Sequence, residues 1–294
     1  MKTVKTIRMI TSGACGLLLA CTFAAHAAGP SSSATGVTST ASGNCTPEYD
    51  FPTMKKGVIQ VAGMNELPSF LASSSSGPFE GFSAELMNEF AKKNCLTVQW
   101  TPGTGPATQL LAANGKVDAW VGIIIASPAR AKVMNLEQHQ LYFEFAGIAS
   151  KSANGYDSVE QLRGKKVGAV TGSNYVPSLQ EAVGKDNAKL YQSSDEAYQD
   201  IANGRIDAVI TPSTPQGYWV QQHPKAGVVS KIVKEDSKYP VLTQEYKVVW
   251  PVNKANPKLA EALSSYFKQV NTSGELKTLL NAKGITDELH FTGR

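Results

Sequence analysis

The sequence predicts an α/β fold of two similar lobes around a cleft, and three observations carry that prediction. Strand-like and helix-like segments alternate from Val58 onward. A segment late in the first series returns late in a second. Both copies end in turn-rich loops beyond a strand, the place where open α/β sheets hold their ligands.

The elements of the first series read in order. "GVIQVAG" (57–63) is a short buried strand. "FSAELMNEFAKKN" (82–94) places apolar residues at helical spacing and ends in Asn94. "CLTVQW" (95–100) alternates like a strand. "PATQLLAANG" (106–115) is a helix closing on Gly115, a residue type favoured just past a helix end. "KVDAWVGIII" (116–125) is a strand. The second series runs through "KKVGAVTGSNY", the helix "YVPSLQEAV", the strand "AKLYQ" and the helix "SDEAYQDIANG". The echo is "AANGKVDAWVG" (112–122) against "IANGRIDAVIT" (201–211). Each copy is a helix end, a glycine stop, a basic residue and a strand opening on an aspartate.

The N-terminus stands outside this pattern. Lys2, Lys5 and Arg8 precede an apolar run, and Ala25-His26-Ala27 is a small-x-small cleavage pattern, so residues 1–27 read as a secretory signal. Without them the formal charge falls from +4 to +1, since the segment holds those three basic residues and no acid. A nearly neutral chain argues against a nucleic-acid partner. "LLAC" (18–21) also resembles a lipoprotein box, which would anchor the chain through a lipid on Cys21. Residues 28–44 are rich in Ser, Thr and Gly and form a leader outside the fold. Beyond the signal two cysteines remain, Cys45 and Cys95. In an oxidising compartment such a pair reads as one disulfide, the alternative being two buried thiols.

The ordered set "LPSF" (67–70), "GFSAEL" (81–86), "ANGKVDA", "SPARAKVMNL" (127–136), "LRGKKVGAVTGSNY" (162–175) and "ANGRIDAVI" resembles the extracellular solute-binding proteins of family 3, which feed ABC importers. The resemblance spans roughly residues 55–285. It implies a type II periplasmic-binding-protein fold. The first lobe would be 45–145 plus 249–294, and the second 146–248. It also implies a periplasmic location, a small-molecule ligand, a membrane ABC permease as partner, a monomeric state and no cofactor or metal.

Carried over residue by residue, the family's carboxylate clamp falls on Arg130, whose planar fork makes paired charge-assisted bonds. The second-lobe turn that offers backbone N–H groups falls on Gly172, Ser173 and Asn174, where a helix N-terminus favours an anion. The amine acceptors are missing: their positions fall on Ile125 and Pro212, and near Met64, and the stacking aromatic falls on Leu67. Glu66 could accept from a cation placed differently. Phe70 and Phe82 are candidate cleft walls; Ser127, Tyr175, Ser213 and Thr214 are candidate hydrogen-bond partners.

No catalytic motif stands out, and His139, His223 and His290 are scattered without ligand spacing. Binding without turnover is therefore expected. The alternatives are a periplasmic dehydratase of the same fold acting on a cyclic carboxylic acid, with Glu66 as general acid, and a sensory ligand-binding protein.

Overall fold

The structure, a computed structural model, describes residues 45–294. The signal segment, the leader and Cys21 lie outside the described residues. The first series opens with β1 (Val58–Met64), then the hairpin strands β2 (Leu71–Ala72) and β3 (Phe79–Glu80). Helix α1 (Phe82–Lys93) follows Gly81, whose φ of +102° leaves the chain entering the helix against the Ser69 carbonyl; a Cβ there would meet that oxygen at 2.3 Å. Next come β4 (Thr97–Gly103), α2 (Gly105–Ala113), β5 (Ala119–Val121), the short α3 (Pro128–Val133) and β6 (Met134–Asn135).

Strand β7 (Tyr142–Glu144) leads into the second series: β8 (Ala146–Lys151), β9 (Val167–Val170), α4 (Val176–Val183) and β10 (Ala188–Tyr191). Helix α5 (Ser194–Ala202) begins with a capping box. The Ser193 hydroxyl accepts from the Glu196 N–H while the Glu196 carboxylate accepts from the Ser193 N–H. Then follow β11 (Ala208–Pro212), α6 (Ser213–Gln222), β12 (Val228–Ile232) and α7 (Pro240–Thr243). The chain closes with β13 (Tyr246–Val248), β14 (Val252–Asn253), α8 (Pro257–Thr272), α9 (Glu275–Ala282) and α10 (Leu289–Thr292).

The strands form two five-stranded sheets, in the orders β4-β1-β5-β14-β6 and β10-β9-β11-β8-β12. Strands β4, β1 and β5 run parallel, as do β10, β9 and β11, the outcome expected when helices connect them. Each sheet is covered on both faces. Helices α1, α8 and α9 bury Phe90, Leu263, Phe267 and Leu280 against β1 and Trp250, while Trp120 and Met134 pack on the other face. Each such side chain removed from water contributes about 1.5–3 kcal/mol.

The echo is structural. Gly115 and Gly204 both adopt positive φ, +60° and +69°, as helix stops. After the first, the Asp118 N–H donates to the Gln60 carbonyl and its carboxylate accepts from the Gln60 N–H, both at 2.8 Å. After the second, Asp207 makes the same pair with Lys166, at 2.9 and 2.8 Å. Each aspartate thus pins the start of its strand to the parallel neighbour.

Two chain crossings join the lobes. Strands β7 and β13 pair antiparallel, Glu144 opposite Tyr246 and Tyr142 opposite Val248, and Ile125 bridges to Val248. The C-terminus also reaches the second lobe. The Arg294 guanidinium donates to the Thr243 and Val233 carbonyls, and its N–H to Glu245 at 2.8 Å. Cys45 and Cys95 form a disulfide with their Cα atoms 5.8 Å apart, tying the entering chain to the end of α1. Among the described residues no helix is long and apolar enough to cross a membrane.

Candidate functional site

The Ser-Pro pair after the first echo strand sets the direction of Arg130. The Ser127 hydroxyl caps α3 by accepting from the Arg130 N–H at 3.3 Å, and Pro128 occupies the first turn, where its missing N–H costs nothing. The Arg130 guanidinium donates to the Ile125 carbonyl and lies 3.4 Å from Gln109 Oε1. It stacks over the Trp120 ring at 5.1 Å. Burial lowers its pKa, yet a guanidinium stays charged in proteins. No carboxylate pairs with it among the described residues.

That unpaired cation lines a cavity of about 740 Å³ with Gln109 and Ile125 of the first lobe, Gly172 and Asn174 of the second, and Tyr246 at the crossing. Gly172 has φ +77°. The N–H groups of Gly172 and Asn174 find no backbone acceptor among the described residues. The Ser173 N–H differs from expectation: it closes the turn onto the Val170 carbonyl at 3.0 Å, and the Ser173 hydroxyl accepts from the Tyr175 N–H. Two of the expected amides are therefore open and the third is spent.

Arg130 also lines a second cavity of about 430 Å³ with Met64, Gly105, Pro106, Leu110 and Trp120. Met64, Gly105 and Pro106 in turn line a third, of about 950 Å³, so the three follow one another along the edge of the first lobe. The third is the broadest and most apolar. Leu67 and Leu71 face Tyr198, Tyr218 and Trp219 across it, with Glu66 in its wall. The Trp219 ring stacks on His223 at 4.2 Å.

Two carboxyls stand near this wall in opposite circumstances. Glu144 is fully buried and satisfied. Its Oε1 accepts from the N–H groups of Phe145 (3.0 Å), Ser213 (2.9 Å) and Thr214 (3.2 Å) and from the Ser213 hydroxyl (2.7 Å). It thereby closes the N-terminus of α6, where the helix dipole favours negative charge. Glu66, partly buried, makes no side-chain hydrogen bond among the described residues; only its backbone pairs, with Ser69 and Phe70. Burial first, and then the charge on Glu144, push its carboxyl up to about 7.

Several expected site residues lie elsewhere. Phe70 is fully buried beside Trp100 and Phe79, at 4.9 and 6.2 Å, in the first-lobe core. Phe82 is likewise buried, edge-on to Tyr142. Neither walls the cleft: the first turn of α1 points Phe82 toward the sheet, and Phe70, just before β2, lays its ring over Gly63 of β1. Tyr175 points into the second-lobe core, edge-on to Tyr246. Ser213 is held by Glu144, and its Oγ lies 3.4 Å from His290 Nε2. Thr214 is fully buried with no partner for its hydroxyl. Ile125 packs against the second-lobe core at the crossing, which is why this position is apolar. Glu144 was not singled out from the sequence. Its only signal is an acid inside the apolar run "LYFEFAG" (141–147).

The chain is 25% identical over 210 residues to a probable amino-acid-binding protein of Bacillus subtilis, covering 71% of this chain and 77% of that one. It is 24% identical over 224 residues to a probable histidine-binding protein of Neisseria gonorrhoeae, covering 74% and 80%. Among solved structures it resembles an ancestral amino-acid-binding protein described as a precursor of cyclohexadienyl dehydratase, with a TM-score of 0.62 and 21% identity over 79% of this chain and 96% of that one. That likeness, with the two sheets and paired crossings, makes the architecture a two-lobe type II periplasmic-binding fold. The family model of the bacterial extracellular solute-binding proteins, family 3, matches residues 59–282. With that match over most of its length, the chain belongs to the bacterial extracellular solute-binding proteins of family 3.

Proposed function

We propose that this protein is the periplasmic substrate-binding component of an ABC importer. It takes a small carboxylate-bearing solute between its lobes and closes on it. The carrying observation is Arg130, a partly buried guanidinium without an acid partner, sharing a cavity with the Gly172 and Asn174 turn of the other lobe. An arginine fork on one side and two open amides on the other suit a carboxylate, and only the closed state engages both. Ligand then shifts the population toward closure by its differential affinity, and the closed form is what a permease would recognise.

The test is calorimetry of the wild type and Arg130→Ala against a panel of organic acids and the twenty amino acids. Truncating one partner of a buried charge pair costs about 2–5 kcal/mol, so the variant should lose measurable binding of the true ligand. Unchanged affinity in the variant would end the carboxylate reading.

A second reading is favoured by one observation, the Glu66 carboxyl. An acid held near neutrality in a cleft suits proton transfer, as in a dehydratase. The discriminating measurement is release of water and carbon dioxide from a cyclic dienyl carboxylate that carries a ring hydroxyl, the group that leaves as water. Binding without turnover leaves the transport reading in place.

A further inference from the structure

Helix α6 stands between the cleft and a further connection of the lobes. Pro215, Tyr218, Trp219 and Gln222, at helical spacing, line the broad cavity of the cleft. Ser213, Gly217 and Gln221 form the opposite face, and segment 284–294 lies against it. The approach at Gly217 is close. A Cβ on Gly217 would meet the Gly284 carbonyl oxygen at 3.2 Å, and one on Gly284 would meet Gln221 at 3.1 Å. A cavity of about 590 Å³ lies between the rest of the segment and Ser230 and Val233 of the second lobe.

The segment is rooted in both lobes. In the first lobe Ile285 is 2% exposed within the core, Phe291 packs against that core, and Lys277 of α9 pairs with Glu288 at 2.6 Å. Its middle sits on the crossing. His290, 3% exposed, places Nδ1 2.8 Å from the Phe143 carbonyl oxygen of β7, with the Tyr142 and Phe145 rings edge-on at 6.0 and 5.9 Å. In the second lobe the Arg294 guanidinium donates to the Thr243 and Val233 carbonyls. It also lies over the Phe145 ring at 5.0 Å.

Strands β7 and β13 are three residues each, and a hinge of that kind turns by changing a few backbone dihedrals. Alone it would leave the lobes free to rotate. Segment 284–294 removes that freedom, because Ile285 and Phe291 move with one lobe and the partners of Arg294 with the other. We infer that segment 284–294 is a strap across the hinge that holds the angle between the lobes until a ligand draws them together. Rotation has to slide Gly284 along Gly217 and break the Arg294 bonds. The glycine contact, with no side chain to interlock, permits sliding. The guanidinium, fixed to two separate carbonyls, resists it. A ligand then closes the lobes only by its preference for the closed form beyond what the strap opposes. The inference rests on lobe closure in the reading above, not on the carboxylate.

The test measures the spread of interlobe distances in the ligand-free protein by double electron–electron resonance. Nitroxides are carried on keto side chains introduced at exposed positions, so that no cysteine is touched. Ser75 with Gln199, and Ala107 with Lys189, span the lobes; Ala107 with Lys268 is a control within the first lobe. The wild type should give a narrow distribution for both spanning pairs. Arg294→Ala should broaden it by more than about 2 Å, the scale of a hinge rearrangement. Arg294→Lys, which keeps the cation but not the planar fork, should fall between. Gly217→Val, whose branched side chain pushes Gly284 away, should broaden the distribution by an independent route. The control pair should stay narrow throughout. A distribution already broad in the wild type overturns the strap and leaves lobe closure standing. A distribution equally narrow in every variant overturns the strap and takes the support from lobe closure with it. Broadening of the control pair also overturns the strap, since the segment would then be holding the first-lobe core and not the hinge.

Discussion

In the first lobe Asp118 pins β5 to β1, and in the second Asp207 pins β11 to the residue before β9, with the same pair of hydrogen bonds. Beyond that shared beginning the two strands diverge. After β5 the chain passes Ile123–Ile125, turns at Ser127-Pro128 and presents Arg130 with no acid to meet it. After β11 it turns at Pro212 directly into α6, and the open amides of that helix are closed from behind by Glu144. One strand end is left open toward the cleft and the other is sealed. A repeated strand opening thus secures the framework twice. Only the loop past each strand decides whether a charge is available to a ligand.

The comparison breaks most directly at the sealed end. Glu144→Ala would leave the Phe145 and Thr214 amides and the Ser213 hydroxyl without their acceptor, while the Ser213 N–H keeps the Phe145 carbonyl at 2.8 Å, and removing one member of such a buried charged network costs about 3–5 kcal/mol. Chemical denaturation should show that loss. Glu144→Gln keeps an acceptor oxygen and should lose much less. Equal losses would mean that the charge, and not the hydrogen bonds, holds α6.

The two aspartates sharpen the comparison at the shared end. Asp118 is almost wholly buried, 1% exposed, and also accepts from the Met54 N–H at 2.9 Å; Asp207 is partly exposed. Leaving buried donors unsatisfied costs about 1–3 kcal/mol. Asp118→Ala should therefore fall toward the upper end of that range and Asp207→Ala toward the lower, read by denaturant midpoint. The reverse order would show that burial does not set the strength of the pins.

Glu66 provides a pH-dependent effect in the ligand-free protein. Its folded carboxyl is raised from the ordinary 4.5 to about 7, so the folded state holds this proton more tightly than the unfolded chain does. The sign follows: its contribution to stability is full below about 4.5 and is lost as pH rises to about 7. Glu66→Gln should flatten the thermal midpoint across that window relative to wild type. A variant with an unchanged slope would place the cause in another buried acid, such as Glu137, also raised by burial. The smallest effect expected is from Ser127→Ala, which removes the cap of α3 and costs about 1 kcal/mol. It should also loosen Arg130 and weaken ligand binding a few-fold at the open end.

The legible parts of the candidate site were those with local signatures. Ser127-Pro128 announces a turn beyond the first echo strand, and Arg130 follows it. Gly172 announces a turn that only a residue tolerant of positive φ takes easily. Phe70 and Phe82 carried no such signature. An aromatic next to a cleft and an aromatic beneath it look alike in one dimension, and packing against the first-lobe sheet placed both in the core. Glu144 was hidden by its neighbours. Within "LYFEFAG" it reads as an interruption of a strand, and its partners are 69 and 70 positions away.

What the sequence determined by itself is the framework: alternating strands and helices, the glycine stops, the aspartates that open the echo strands, and the pairing of Cys45 with Cys95. These follow from periodicity, backbone conformation and simple counting, all of which act over a few residues or depend on composition. What only the tertiary structure decided is which charges are spent and which remain. Whether Arg130, Glu66 and Glu144 are paired depends on groups brought from distant segments by the crossings at β7 and β13. A charge in a folded protein is defined by the acceptors, donors and burial around it, and those surroundings do not exist until the lobes have formed.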